Sequence, residues 1–134
     1  MKVVLDCNVL ISAGLNAGPC REVITAVVRL HHCILSKGIL REYVLVAQRR
    51  HFARSAATMF VLIKLLSGNA VFVIPDPALL RLPDPKDQIY LDTAVTAHAD
   101  VLITGNKKHF PDAVYQGVKI VSPREFLELA AGRE

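Results

Sequence analysis

Five short apolar runs, at 2–5, 32–35, 71–74, 101–104 and 118–121, recur between longer stretches of helical periodicity. Each is too short for a helix and lacks the alternation of a strand with one wet face. Each therefore reads as a strand buried on both sides. Buried strands separated by helices are parallel strands joined by crossovers. The predicted class is α/β: a three-layer α/β/α sandwich around a central parallel sheet of about five strands.

The segments between the strands carry helix signals. Residues 19–30 set Val23, Ala26, Val27 and Leu30 on one face. Ser36 is placed to cap a helix over about 37–49, whose apolar side holds Ile39, Leu40, Tyr43, Val44 and Ala47. A further helix is expected over 52–67, stopped by Gly68 and Asn69, and another over about 87–98. Residues 75–85 hold four of the seven prolines and form a rigid loop. Ser122, Pro123 and Glu125 stand in the order of a capping box at the start of a last helix.

Composition narrows the function classes. The 134 residues suit one domain over 1–134, and 52% apolar content excludes a disordered chain. No stretch of eighteen apolar residues occurs, and Asp6 interrupts the first apolar run before it could act as a leader. A cytoplasmic protein is expected. Cys7, Cys20 and Cys33 are odd in number and lack zinc-ligand spacing. Sixteen basic against twelve acidic residues leave a net charge of +4, compatible with a polyanionic partner. Trp is absent and aromatics make up 6%, which disfavours an aromatic base-stacking platform.

The acids fall unevenly on this framework. Asp6 follows the first strand directly, where it either caps the next helix or faces a ligand at the carboxyl end of the sheet. Glu42 lies one turn into the helix after strand two, and alone reads as a solvated residue. Asp84, Asp87 and Asp92 surround the proline-rich loop and the helix after it. Asp87 and Asp92 share a site only if Asp87 precedes the first helical turn. Thr104 and Asn106 follow strand four, and Thr104 can bond an acid. In a sheet ordered 3-2-1-4-5, strands one and four are neighbours and the order reverses between them. Carboxylates gathered there repel unless a cation joins them. With oxygen donors and no Cys or His set, Mg²⁺ or Mn²⁺ is favoured.

Four blocks then stand in order. They are Val4–Ala13 (VLDCNVLISA), Ser36–Tyr43 (SKGILREY), Asp84–Asp92 (DPKDQIYLD) and Ala99–Phe110 (ADVLITGNKKHF). Together they resemble PIN-domain ribonucleases, especially the VapC-like toxin branch. The resemblance implies a metal-dependent endoribonuclease whose acids are Asp6, Glu42 and Asp87, with Asp92 as an additional or alternative member. Asp6, Glu42 and Asp87 would be metal ligands, and Asn8, Thr104 and Asn106 would orient the site. One or two Mg²⁺ or Mn²⁺ ions would support in-line attack of water on an RNA phosphodiester, leaving a 5′-phosphate and a 3′-hydroxyl. Arg41, Arg49, Arg50, Arg54, Lys107 and Lys108 would hold the RNA backbone, although each alone reads as a solvated charge. His51 and His109 are expected near the surface, outside the chemistry. Many members of the family carry Asp where this chain has Asn106, and some carry Asn there with an Asp three residues later, where this chain has His109.

That departure keeps a rival open, a catalytically weakened PIN-fold module that binds RNA or protein. Two other classes fit less well. A dehalogenase-like phosphatase wants an Asp where Asn8 stands. A receiver domain wants acids near Lys2 and Val3, and its phosphoacceptor loop does not suit Asp76 between Pro75 and Pro77. The resemblance further implies a homodimer and a small antitoxin as partners. The apolar stretch 56–66 is either an oligomer interface or a helix buried between neighbours.

Overall fold

The structure, a computed structural model, describes residues 1–132. The strands are β1 (Lys2–Leu5), β2 (His32–Leu35), β3 (Val71–Phe72), β4 (Val101–Ile103), β5 (Val114–Tyr115) and β6 (Val118–Val121). The helices are α1 (Cys7–Leu15), α2 (Pro19–Leu30), α3 (Lys37–Ala47), α4 (Ala56–Gly68), α5 (Gln88–Thr96) and α6 (Pro123–Ala130). Helices flank a sheet ordered β3-β2-β1-β4-β6-β5, parallel throughout except for the β5–β6 pair. The expected order 3-2-1-4-5 is present, with one strand added at the edge.

That added strand closes a hairpin through Gln116 and Gly117, both in the left-handed region at φ 47° and 88°. Two such residues match the strand twist in a two-residue hairpin turn. At the other edge, β3 is shorter than the predicted 71–74. Val73 still donates to the Leu35 carbonyl at 2.9 Å, but Pro75 has no N–H with which to continue.

The central strands are sealed on both faces. Val3, Val4, Leu5, Leu102 and Ile103 are essentially inaccessible. On α2 the buried residues are Val23, Ile24 and Val27. Leu30, on the expected face but in the last turn, is 78% exposed. The predicted helix 52–67 begins as a 3-10 segment over Arg50–Ser55 and becomes α-helical only at Ala56. Where α1 crosses α4 the backbones approach so closely that a Cβ on Gly14 would stand 2.4 Å from Met59 Cγ. Ser36 caps α3, and Ser122 with Glu125 forms the expected capping box on α6. Among the described residues no helix is long and apolar enough to cross a membrane.

Candidate active site

The register of the two central strands builds the site. Leu5 pairs with Ile103, so the next residues, Asp6 and Thr104, emerge side by side where the strand order reverses. Asp6 donates its backbone N–H to the Ile103 carbonyl at 2.9 Å. Tyr43 of α3, fully buried, donates its hydroxyl to the Leu5 carbonyl and fixes the end of β1. Crevices at such reversals are where open parallel sheets hold ligands.

Asp6 precedes α1, which begins at Cys7. Its side chain makes no capping bond. The Thr104 hydroxyl donates to Asp6 Oδ2 at 2.9 Å, and Asn8 Nδ2 stands 3.4 Å from both Asp6 Oδ2 and Thr104 Oγ1. Asn8 Oδ1 accepts from the Gly105 backbone at 2.9 Å, and Thr104 Oγ1 accepts from the Asn106 backbone at 3.0 Å. With its lone pairs turned to those donors, Thr104 has its proton free for Asp6 alone. Asn8 and Thr104 thus both contact the Asp6 carboxyl.

Asp6 is only 3% exposed, and burial pushes its carboxyl from 3.8 up to about 6. The Thr104 hydrogen bond opposes that rise and the Asp87 charge adds to it. Asp87 lies in a 3-10 turn over Pro85–Asp87, just ahead of α5, the placement that lets it face the crevice. Burial raises its carboxyl too. His109 opposes the rise and Asp84 reinforces it. Asp87 Oδ2 is buried and lacks a hydrogen-bond partner.

A histidine joins these acids, contrary to the oxygen-only donor set expected. His109 Nδ1 is 3.0 Å from Asp87 Oδ2, at ion-pair distance. Its Nε2 lies 2.9 Å from the Asn106 side-chain amide. Asp84, Asp87 and His109 each offer a ligand atom, all within 4.8 Å of one another. Asp84 also caps the 3-10 turn, its Oδ1 accepting from the Lys86 backbone at 2.9 Å. The ring is partly exposed, as expected, yet it belongs to the cluster. Its signal in the sequence is position: three residues after Asn106, on the loop that leaves β4.

Asp92 does not join the acids. Its Oδ1 accepts from the Ala78 backbone at 2.9 Å and from Gln88 Nε2 at 2.8 Å, and Arg81 lies 3.6 Å from its Oδ2. Five residues of helix turn it away from Asp87 toward the proline-rich loop, which it pins. Glu42 is half-buried on α3. Its charge reaches Cys7, the neighbour of Asp6, as does that of Arg49. Burial, then the Asp6 charge, pushes the Cys7 thiol up to about 11, so it is no thiolate nucleophile. Arg41, Arg49, Arg50 and Lys108 are exposed, whereas Lys107 is bound to Glu125 at 2.8 Å.

The class these features define is an α/β protein with a mostly parallel sheet and buried carboxylates at its switch point. The family model described as PIN domain matches residues 2–108, and the chain belongs to that family. No curated protein matches the chain with significant sequence similarity. Among solved structures, the fold is similar to a chain of VapBC2 from Rickettsia felis bound to a DNA fragment from their promoter. That match has a TM-score of 0.61 at 11% identity and covers 91% of this chain and 98% of that one. It is also similar to a chain of VapBC-1 from nontypeable Haemophilus influenzae. There the TM-score is 0.55 at 21% identity, covering 82% and 90%.

Proposed function

We propose that this protein is a metal-dependent endoribonuclease, the toxin of a toxin–antitoxin pair. The observation that carries the reading is the pairing of two buried, mutually repelling carboxyl groups, Asp6 and Asp87, at the sheet's switch point, with Asp87 Oδ2 lacking a hydrogen-bond partner. Buried carboxylates of this kind are compensated by a cation. Asp6 and Asp87 would hold it, and Glu42 would anchor water from α3. A bound Mg²⁺ or Mn²⁺ supplies Lewis acidity for phosphodiester hydrolysis. The chain's own part is to orient Asp6 through Thr104 and Asn8 and to present Asp87 rigidly behind Pro85.

Arg41, Arg49, Arg50 and Lys108 are free of ion pairs among the described residues and would hold the RNA backbone. Family membership and the likeness to the VapBC chains support the toxin reading and a small antitoxin as partner. Phe60, Val61 and Leu65 on α4 are 39%, 58% and 45% exposed, which supports a partner-covered face such as that of a homodimer.

The test is RNA cleavage in Mg²⁺ or Mn²⁺ by the parent protein and by Asp6→Asn. Loss of cleavage in a variant that keeps its circular dichroism supports the reading. Equal cleavage by both sinks it. Absence of both cleavage and Mn²⁺ binding in the parent favours a binding module with a weakened site.

A further inference from the structure

We propose that the turn joining α3 to α4 is a docking site for single-stranded RNA, with one unpaired base stacked on the exposed His51 ring. This rests on the endoribonuclease reading above and adds the strandedness of the substrate and the residue that reads it.

Charge points to this turn first. Residues 43–75 hold four of the sixteen basic residues, Arg49, Arg50, Arg54 and Lys64, and none of the twelve acids. The rest of the chain is balanced at twelve of each, so the net charge of +4 belongs wholly to this segment. Arg49, Arg50 and Arg54 are all exposed, and none is in an ion pair among the described residues. A solvated face usually mixes the two signs. An unopposed basic cluster is instead the footprint of a polyanion.

The rings are the second observation. Arg50–Ser55 forms a 3-10 segment, entered through a 3.0 Å bond from the Phe52 N–H to the Arg49 carbonyl. Phe52 is half-buried and packs against the hydrophobic core. The His51 ring lies against it, with centroids 4.1 Å apart and planes at 47°. A ring backed by an anchored neighbour is held before a ligand arrives, so it loses little freedom on binding. Histidine rings stack on unpaired bases, and arginines beside them hold the phosphates. One such ring needs no run of aromatics and so suits a chain with 6% of them.

Position ties the turn to the acids. Arg49, at its start, acts on Cys7, the neighbour of Asp6. A strand laid over His51 and Arg49 therefore leads into the crevice. A base inside a duplex is already stacked and paired, and offers His51 no free face.

Fluorescence anisotropy in Ca²⁺ tests this with a labelled single-stranded oligoribonucleotide and with the same strand annealed to its complement. The proteins are the parent, His51→Ala, His51→Phe and His51→Lys. His51→Ala should weaken single-strand binding about tenfold. His51→Phe should restore it, whereas His51→Lys, which keeps a charge without a ring, should not. The duplex should bind the parent more weakly and be indifferent to His51→Ala. Overturning results are equal single-strand binding by His51→Ala and parent, no rescue by His51→Phe, or an equal loss on the duplex. Each leaves the endoribonuclease reading standing where the parent still cleaves RNA. A parent that neither binds nor cleaves either RNA defeats both readings.

Discussion

Thr104 donates its hydroxyl to Asp6 across 98 positions of sequence, at 2.9 Å and with neither residue open to solvent. The same oxygen accepts the Asn106 backbone N–H at 3.0 Å, so one hydroxyl ties the β4 exit to the β1 exit. Thr104→Val keeps the shape and removes both bonds. The half-buried Asn106 N–H left without its acceptor should cost about 1 kcal/mol. Metal affinity should fall about 10–100-fold, as when a partner of a ligating carboxylate is lost. Thr104→Ser should restore most of both. Chemical denaturation and calorimetry with Mn²⁺ on the pair measure this, and a Val variant with parental affinity removes Thr104 from the site.

The buried Asp6 carboxyl makes stability depend on pH in a stated direction. Its pKa in the fold is raised from 3.8 to about 6, so between those values the folded chain holds the proton that the unfolded chain has released. Stability therefore falls as pH rises through that window and levels off above it. The loss amounts to roughly 3 kcal/mol if the whole shift is expressed. Asp6→Asn should remove this slope and melt higher than the parent at pH 7 without added metal. Urea denaturation of both proteins from pH 4 to 8 reads the difference, and parallel curves would show that Asp6 is not the group responsible.

Asp87 and Asp92 are five residues apart and serve different ends. Asp92 holds the Ala78 backbone and Gln88 at the base of the proline-rich loop, and Asp87 faces His109. Asp92→Ala should cost about 1–3 kcal/mol through the unpaired partners it leaves, with Mn²⁺ affinity close to parental. Asp87→Asn should do the reverse, keeping stability or gaining some while metal binding is lost. Thermal melts with and without Mn²⁺ separate the two: the metal-induced rise in Tm persists in the first variant and disappears in the second.

The framework was legible because it rests on periodicity. Apolar runs such as Val3–Leu5 and Val101–Ile103 cannot be wet on either face, and the Ser36 and Ser122 caps are local chemistry. The β5–β6 hairpin is not legible in the sequence, because β5 is two residues long and Gln116 in a left-handed turn gives no strong signal. Asp6, Asn8 and Thr104 were readable because strand ends are predictable and the register between neighbours follows. Asp92 has a type and spacing that suit a site, whereas its direction depends on where the proline-rich loop folds back, a tertiary fact. The placement of His109 beside Asp87 has no sequence signal for the converse reason. One solvated histidine is ordinary, and only the 3-10 turn over Lys107–His109 carries it back to Asp87.

The basic residues divide in the same way into committed and free charges. Lys107 is bound to Glu125 at 2.8 Å, and Glu125 also accepts from the Ser122 backbone at 2.9 Å, so this lysine ties the β4 loop to the start of α6. Its hydrogen bond holds the Glu125 carboxyl below the usual carboxylate range. Arg49 is exposed, has no acid partner among the described ion pairs, and acts on Cys7 beside Asp6. For a single-stranded RNA, each phosphate contact adds about 0.7 to the slope of log affinity against log salt. Arg49→Gln should lower that slope by about one contact and weaken binding to all sequences alike. Lys107→Gln should leave the slope unchanged and cost at most about 1 kcal/mol of stability, as for other exposed pairs. Fluorescence anisotropy with a labelled RNA, in Ca²⁺ to suppress cleavage and over a range of KCl, compares the two. Equal slopes in Arg49→Gln and parent would take Arg49 out of the RNA path, and a reduced slope in Lys107→Gln would show that the Glu125 pair opens to let the lysine reach phosphate.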